Sequence, residues 1–295
     1  MSKLNFNWFP DQDWALVTVT GSDRKDFLGR LTTNKLPGSE SPLVHNFFLS
    51  VNARVEAEFW VSAREDRLLL LTPAEQVQAL KSCIDRYHFG EKVKAEEPSG
   101  ELFVIQGERP DFLETASYEL HPDPRYGEDC YWCFVAEEQV ESFRQKLTQG
   151  NPWDLRESEL RRIKMGRPKF GVDYDSESLF VEIAQQEDFS ETKGCYPGQE
   201  IVARVLHRGR LNRHLRGFES AQEIPSSWFL KIDGKEVARV KSTIPTGDGG
   251  SIGYLMVRRE YGQEGQPLTG SDENGREWTL TVVPRQGEVL TGTEE

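Results

Sequence analysis

The sequence predicts an α+β protein of more than one domain that ends in a small antiparallel β-barrel. Its 295 residues exceed the usual size of a single domain, so two or three domains are expected. Before Trp228, predicted helices and strands alternate along the chain. From Trp228 onward the chain consists of short β-rich pieces separated by turns, and Asp233-Gly234 is a typical hairpin signal. This spacing favours a barrel at the carboxyl end.

Strands and helices of the first part follow from hydrophobic periodicity. Four strands are predicted there, at residues 14–20, 45–51, 55–61 and 67–72. A helix with Phe27 and Leu28 inward follows the first strand, and a helix with Leu80 and Ile84 inward follows the last. In the third strand, apolar residues alternate with Glu56, Glu58 and Trp60. This alternation predicts a sheet with one solvated face, on which the two glutamates lie.

Charge and cysteine content limit the function classes. The formal net charge of −13 argues against binding nucleic acid by general electrostatic attraction. Four cysteines in a chain of this length predict a reducing compartment and no disulfide framework. The CxxC pair Cys130 and Cys133 falls on a predicted strand with its sulfurs on opposite faces, so we expect structural cysteines and no metal site. We expect a cytoplasmic protein without a secretory signal or a membrane span.

The run Lys193-Gly194-Cys195-Tyr196-Pro197-Gly198-Gln199-Glu200 combines turn-forming residues with a thiol. Pro197 and Gly198 are typical of the central positions of a type II β-turn. We expect Cys195 at the lip of this turn and Lys193 on the surface, where its ammonium would favour the thiolate. Ile201, Ala203 and Val205 predict that a strand follows. The alternative is a surface turn with an incidental cysteine.

The segment after this turn is basic and lacks acidic residues between Glu200 and Glu219. Guanidinium groups bind carboxylates and phosphates bidentately, so the segment predicts a docking point for an anionic ligand. The alternative is that its arginines pair with acidic residues elsewhere in the chain. The segment holds five arginines, Arg204, Arg208, Arg210, Arg213 and Arg216, and two histidines expected to add positive character, His207 and His214.

The run from Lys193 to Glu200 resembles the signature of the YgfZ family at all seven specified positions. Members of that family are folate-binding proteins linked to iron–sulfur enzymes, and they are related to the T-protein (aminomethyltransferase) of the glycine cleavage system. Residues 26–34 and 161–173 resemble further blocks of these families, although Arg30 stands where the family commonly has a glutamine.

The resemblance implies a three-part, T-protein-like cloverleaf. A discontinuous folate-binding core would use residues 1–43 and 100–205, a small sheet-and-helix domain residues 44–99, and a β-barrel residues 206–295. The expected cofactor is tetrahydrofolate or a derivative. The residues expected to hold it are Glu182 on the pterin, despite Val181 where the family has proline, together with Gln199, Arg204 and Arg213.

The resemblance further implies that Cys195, assisted by Lys193, is the functional thiol of a protein that supports assembly or repair of iron–sulfur enzymes. Through such enzymes it would affect tRNA thiolation. Folate and iron–sulfur enzymes are therefore the expected partners, without direct contact to nucleic acid or a membrane. Whether the chain itself catalyses a reaction stays open.

Two alternatives remain. A folate-dependent aminomethyl or one-carbon transferase would resemble the T-protein, which activates its folate with an aspartate in the meander after a glycine-rich turn. The corresponding residues here, 52–58, contain neither aspartate nor glycine. A cysteine hydrolase would use Cys195 with His207 or His214 as base.

Overall fold

The computed structural model describes residues 4–39, 41–114, 118–208 and 211–289. Contacts divide the chain into two compact units. The first unit comprises the described residues up to Ser50, together with Glu56–Ser158 and Asp188–Pro197. The second comprises Val51–Val55, Glu159–Glu187 and the described residues from Gly198 onward.

The chain alternates between strands and helices, as the α+β prediction requires. The strands are β1 Phe6–Pro10, β2 Trp14–Thr20, β3 Val44–Leu49, β4 Val55–Ala63, β5 Arg67–Pro73, β6 Lys94–Glu96, β7 Gly100–Gly107, β8 Glu119–Pro122, β9 Cys130–Ala136, β10 Asn151–Pro152, β11 Arg213–Ser220, β12 Phe229–Ile232, β13 Lys235–Pro245, β14 Ser251–Arg258, β15 Pro267–Ser271 and β16 Glu277–Val283. The helices are α1 Arg24–Leu31, α2 Val77–Tyr87, α3 Glu137–Leu147, α4 Leu155–Lys164, α5 Phe180–Ile183 and α6 Gln199–Arg208, with 3₁₀ turns at Ala74–Gln76, Asp111–Glu114, Gln186–Asp188 and Arg259–Tyr261.

Two sheets build the first unit. One has five strands in the order β10-β1-β7-β9-β8, and helix α3 packs on it through Phe143 and Leu147. The other has the order β3-β4-β5-β2-β6, and helices α1 and α2 cover one of its faces through Phe27, Leu28 and Ile84.

The opposite face of the second sheet is buried as well. Trp60 and Leu69 of this sheet share an apolar cluster with Leu102 and Trp132 of the first sheet. The prediction of one solvated face is therefore wrong, and Glu58 is only 3% exposed. Periodicity alone cannot distinguish a strand that faces water from one that faces a second sheet.

A closed barrel forms the largest part of the second unit. Its strands follow the order β11-β14-β13-β12-β15-β16 around a core that includes Phe218, Trp228 and Leu255. Asp233 and Gly234 both have positive φ, 50° and 75°, as the tight turn between β12 and β13 requires. The predicted carboxyl-terminal antiparallel barrel is thus confirmed.

The three-part domain division stays a prediction. Strand β2 and helix α1, which it assigns to the folate-binding core, share a sheet and an apolar core with β3, β4, β5 and α2. The contacts give two units in which the signature run is divided after Pro197.

Close packing inside the barrel gives a stability prediction. A Cβ at Gly253 would lie 2.0 Å from the backbone oxygen of Ser242 and 2.7 Å from the Phe218 ring, so Gly253→Ala should destabilise by about 1–3 kcal/mol. Gly29, inside α1, has nothing within 4 Å of the same position, so Gly29→Ala should stabilise by about 0.5–1 kcal/mol. Urea unfolding of both variants measures the difference, and equal midpoints would contradict the packing of β14.

Candidate functional site

The signature turn exposes its thiol. Gly198 has φ of +81°, the value that the third position of a type II turn needs. Tyr196 is buried, whereas Cys195 is exposed, as predicted for a residue at the lip of the turn. The other three cysteines, Cys83, Cys130 and Cys133, are buried.

The sequence predicts that Lys193 lies on the surface, but the structure does not leave its side chain free in solvent. It is half-buried, its ammonium donates a hydrogen bond to the backbone oxygen of Thr32, and it lies 5.0 Å from the centre of the Tyr196 ring. Burial lowers the pKa of Lys193 to about 8. The residue therefore ties the signature run to the end of α1, and its effect on the thiolate stays a prediction.

The strand predicted after the turn is wrong, because residues 199–208 form helix α6. Ile201, Ala203 and Val205 fit a strand alternation. Val202, however, is 2% exposed and lies with Ile201, Val205 and Leu206 on one helical stripe. The short apolar run fits both periods, and the turn at Gly198 leads directly into the helix.

Glu182 and Arg213, both predicted site residues, contact each other in the second unit. The guanidinium of Arg213 donates from Nε to Oε1 of Glu182 at 3.1 Å and from Nη2 to Oε2 at 3.3 Å. Glu182 is 6% exposed, whereas the Arg213 side chain is 51% exposed. A buried carboxylate thus has its charge balanced by a guanidinium that reaches solvent.

The other two predicted cofactor residues lie on α6. Gln199 is its half-buried first residue, and Arg204 is exposed. Helix α6 contacts α5, which carries Glu182, and α5 contacts β11, which carries Arg213. The four predicted cofactor residues therefore lie on three elements of the second unit, of which α5 contacts the other two.

Arg285, which the sequence analysis missed, fixes the helix that carries Glu182. Its buried guanidinium donates to the backbone oxygens of Ile183 and Ala184 at the end of α5, and to that of Gly166 at 3.0 Å. A cation suits these terminal carbonyls because they carry the negative end of the helix dipole.

The polar composition of residues 286–295 predicts a frayed tail, but the segment after Arg285 is hydrogen-bonded as far as the structure describes it. The Gln286 backbone oxygen accepts a 2.6 Å hydrogen bond from Gln185 Nε2, and that of Gly287 accepts one of 2.8 Å from the Gln186 N–H. The remainder of the predicted tail, residues 290–295, lies outside the described residues.

The other described residues of the basic segment differ in burial. Arg216 is buried and pairs with Glu288, as the pairing alternative predicts. Burial first, and then Arg216 and two further arginines, lower the pKa of His214 to about 4, so the expected positive charge of His214 is wrong. His207 is exposed, the side chain of Arg208 is not described, and Arg210 lies outside the described residues.

A basic groove of about 750 Å³ opens beside Arg213 at one end of the barrel. Arg258 and Arg259 line it with Arg213, and the amides of Asn212 and Gln263 add hydrogen-bonding groups. One carboxylate, that of Glu260, also lines the groove and lies 4.0 Å from Arg258, so the three guanidiniums outnumber it. The sequence signal for the two additional arginines was their position at the end of β14, where Arg258 is the last residue and pairs with Arg213, and Arg259 follows it. The groove offers guanidinium groups to an anionic ligand.

A buried polar cluster in the first unit was also missed. His45 contacts Asp188 Oδ1 through Nδ1 at 2.7 Å and Glu58 Oε1 through Nε2 at 2.9 Å. Burial alone would lower the pKa of His45, but the Asp188 charge and hydrogen bonds to both carboxylates raise it to about 9. The imidazole is therefore an imidazolium at neutral pH, between two carboxylates that no local sequence pattern brings together.

Comparison with known proteins assigns the fold first. The structure matches the glycine cleavage system aminomethyltransferase T of Bartonella henselae with a TM-score of 0.80, over 99% of this chain and 89% of that one. Sequence identity is 15%, so this match shows a shared fold. The T-protein-like fold expected from the sequence is confirmed.

Relatives found by sequence similarity indicate the type of protein more narrowly than the shared fold does. The tRNA-modifying protein YgfZ of Yersinia enterocolitica is 26% identical over 84% of this chain and 83% of its own length. The mitochondrial iron–sulfur cluster assembly factor IBA57 of Mus musculus is 27% identical over 83% of this chain and 76% of its own. No protein-family model matches. These relatives confirm the resemblance to the YgfZ family and its link to the aminomethyltransferase fold.

Within the described ranges, no helix is long and apolar enough to cross a membrane.

Differences in burial give a labelling prediction. Cys195 is exposed, whereas burial, with smaller contributions from Glu56 and Glu119 respectively, raises the pKa of Cys83 and of Cys133 to about 12. Iodoacetamide at pH 7.5 should therefore modify Cys195 at least about tenfold faster than the other three thiols, because only thiolates react. Peptide mass spectrometry measures the four rates, with Cys195→Ala as control. Comparable labelling of Cys83 would contradict the structure.

Proposed function

We propose that the chain binds tetrahydrofolate or a derivative and supports the assembly or repair of iron–sulfur enzymes, including enzymes that thiolate tRNA, with Cys195 as the functional thiol. The names of the relatives support two parts of this proposal, the link to tRNA modification and the link to iron–sulfur cluster assembly. One relative is a tRNA-modifying protein and another is an iron–sulfur cluster assembly factor. The shared fold is that of a protein of the glycine cleavage system. We place the protein in the cytoplasm.

The observation that carries the proposal is the Glu182–Arg213 pair beside the basic groove. Glu182 is nearly buried and fixed on α5, whose end is held by Arg285. A carboxylate has about four acceptor positions, and two parallel N–H bonds from an amino-pyrimidinone edge suit it. Arg213 supplies a counter-charge for this carboxylate when a ligand displaces water.

The groove suits the other end of the same ligand. A folate carries carboxylates on its glutamate tail, and Arg258 and Arg259 line the groove next to Arg213. Its volume of about 750 Å³ falls in the range of small-molecule sites. Arg204 and Gln199 on α6 extend the proposed contacts to a neighbouring element.

A folate-dependent one-carbon transferase is the second candidate, and one observation favours it. The meander segment that lacks an aspartate nevertheless holds a buried carboxylate, Glu58, hydrogen-bonded to His45. Incubation with reduced folate and an aminomethyl donor distinguishes the candidates. Binding without transfer supports the first candidate, and transfer supports the second.

Calorimetric titration with tetrahydrofolate tests the binding site. Glu182→Gln should weaken binding by about 1–3 kcal/mol, the usual cost of losing a charged hydrogen bond. Arg213→Ala should also weaken binding and make the remainder less sensitive to salt, because one guanidinium near the tail is lost. Arg239→Ala is the matched control. Arg239 makes a similar two-point contact with Glu236 on the barrel but does not line the groove, so affinity should not change.

Unchanged affinity in both site variants would remove the folate site from this part of the second unit. Equal weakening in all three variants would indicate a general electrostatic effect.

The thiol is tested in cells that lack the protein. Cys195→Ala should fold and bind folate as the wild type does, because the side chain is exposed and no binding contact is assigned to it. It should fail to restore the activity of a tRNA-thiolating iron–sulfur enzyme, whereas Cys83→Ser, at a buried thiol, should restore it in proportion to its folded amount. Full restoration by Cys195→Ala would leave the signature with a structural role at its turn.

A further inference from the structure

The signature thiol lies on a short stretch that returns to the first unit. Residues Asp188–Pro197 belong to that unit, whereas the chain directly before and after them belongs to the second. The position of Cys195 in the first unit therefore depends on the contacts that this stretch, here called the signature segment, makes there.

Three hydrogen bonds to backbone oxygens attach the signature segment to the end of α1. Thr33 donates through Oγ1 to the backbone oxygen of Asp188 at 2.7 Å, and the Ser190 N–H donates to the Thr33 oxygen at 3.1 Å. The ammonium of Lys193 donates to the oxygen of Thr32. Thr32 and Thr33 are fully buried, so these contacts are shielded from water.

One side-chain contact ties the segment to the sheet. His45, on β3, bridges Asp188 at the start of the segment and Glu58 on β4, at 2.7 and 2.9 Å. Its ring stacks on Trp60, with centres 4.2 Å apart and planes 5° apart, and contacts Phe47 at 4.6 Å. Two carboxylates thus face the ring nitrogens, and two aromatic side chains cover the ring.

This bridge needs both ring nitrogens to donate. An imidazolium has two N–H groups, so it satisfies both carboxylates and offsets one of their two charges. A neutral imidazole has one N–H, and its other nitrogen would direct a lone pair at a buried carboxylate. That arrangement is costly because the buried carboxylate loses its counter-charge and its donor together.

We propose that His45 is the positioning residue of the signature segment. Its protonated ring holds Asp188 on the sheet and thereby places Cys195, and loss of the ring proton in alkaline solution releases the segment. This goes beyond the proposed function, because it holds whether or not Cys195 acts as a thiol and whether or not folate binds.

The direction of the pH effect follows from linkage. The pKa of His45 in the folded chain, about 9, lies above its ordinary value of 6.5. The stabilisation is therefore fully present below pH 6.5 and is lost as the pH rises through 9.

Hydrogen exchange at the Ser190 amide reports on the segment directly, because this N–H donates to Thr33. In the wild type, its protection, corrected for the intrinsic exchange rate, should fall by up to about tenfold per pH unit between 6.5 and 9. At pH 7, His45→Gln should lower the protection by about tenfold or more, because opening of the segment becomes easier. Asp188→Asn should do the same and should flatten the pH profile.

The chain offers a matched control in His121. It is also a buried histidine of the first unit stacked on a tryptophan, with ring centres 4.5 Å apart, and its ring nitrogen lies 2.6 Å from Arg64. Burial, and then Arg64, lower its pKa, against an opposing contribution from Glu119. His121→Gln should cost stability without changing the pH dependence of Ser190 protection.

Wild-type protection of Ser190 in His45→Gln, an equal loss in His121→Gln, or a flat wild-type profile would each overturn the proposal. If His45→Gln fails to fold, the wild-type profile and the Asp188→Asn variant decide it. A segment-specific loss in those two measurements supports it.

Discussion

Buried cations join segments that are distant in the sequence, and the arrangement of segments within each unit depends on them. In the first unit, His45 joins Asp188 to Glu58, and Arg125 contacts Asp11 at 2.9 Å and Asp123 at 2.7 Å. Removing one partner of such a cluster leaves an uncompensated charge away from water, which commonly costs about 3–5 kcal/mol. These contacts therefore exclude other arrangements of the segments more strongly than apolar contacts, which tolerate exchange of partners.

The second unit follows the same rule around the proposed site. Arg285 gathers the carbonyls of Gly166, Ile183 and Ala184, and Arg216 pairs with Glu288. Glu182 thus lies on a helix whose end is fixed by Arg285. Its partner Arg213 is half exposed, so a ligand would meet a fixed, buried carboxylate and a guanidinium that reaches solvent.

The fold was more predictable from the sequence than the site. Asp233-Gly234 and the alternation around it predict the barrel correctly, because turn chemistry and strand period are local properties. Local patterns failed where two structures share one pattern. Residues 201–205 fit a strand as well as a helix, and the strand containing Glu58 has a second sheet where water was expected. Glu182, Arg213 and Cys195 were identified by resemblance, but the Glu182–Arg213 contact and the His45 bridge join residues 31 and 143 positions apart. No local signal specifies such contacts.

The acidic composition of the chain makes the basic groove more informative than its size alone. With 49 acidic against 36 basic residues, an arginine has an excess of carboxylates available, and pairing is its default outcome. Arg216, inside the acid-free run, follows that default and is buried with Glu288. Arg213, three residues earlier on the same strand, keeps half of its side chain in solvent although it is paired, and it faces a groove with Arg258 and Arg259. Burial rather than pairing therefore separates arginines that build the fold from those that can meet a ligand. By that criterion the proposed anion site lies at Arg213, and the more deeply buried Arg216 belongs to the framework beneath it.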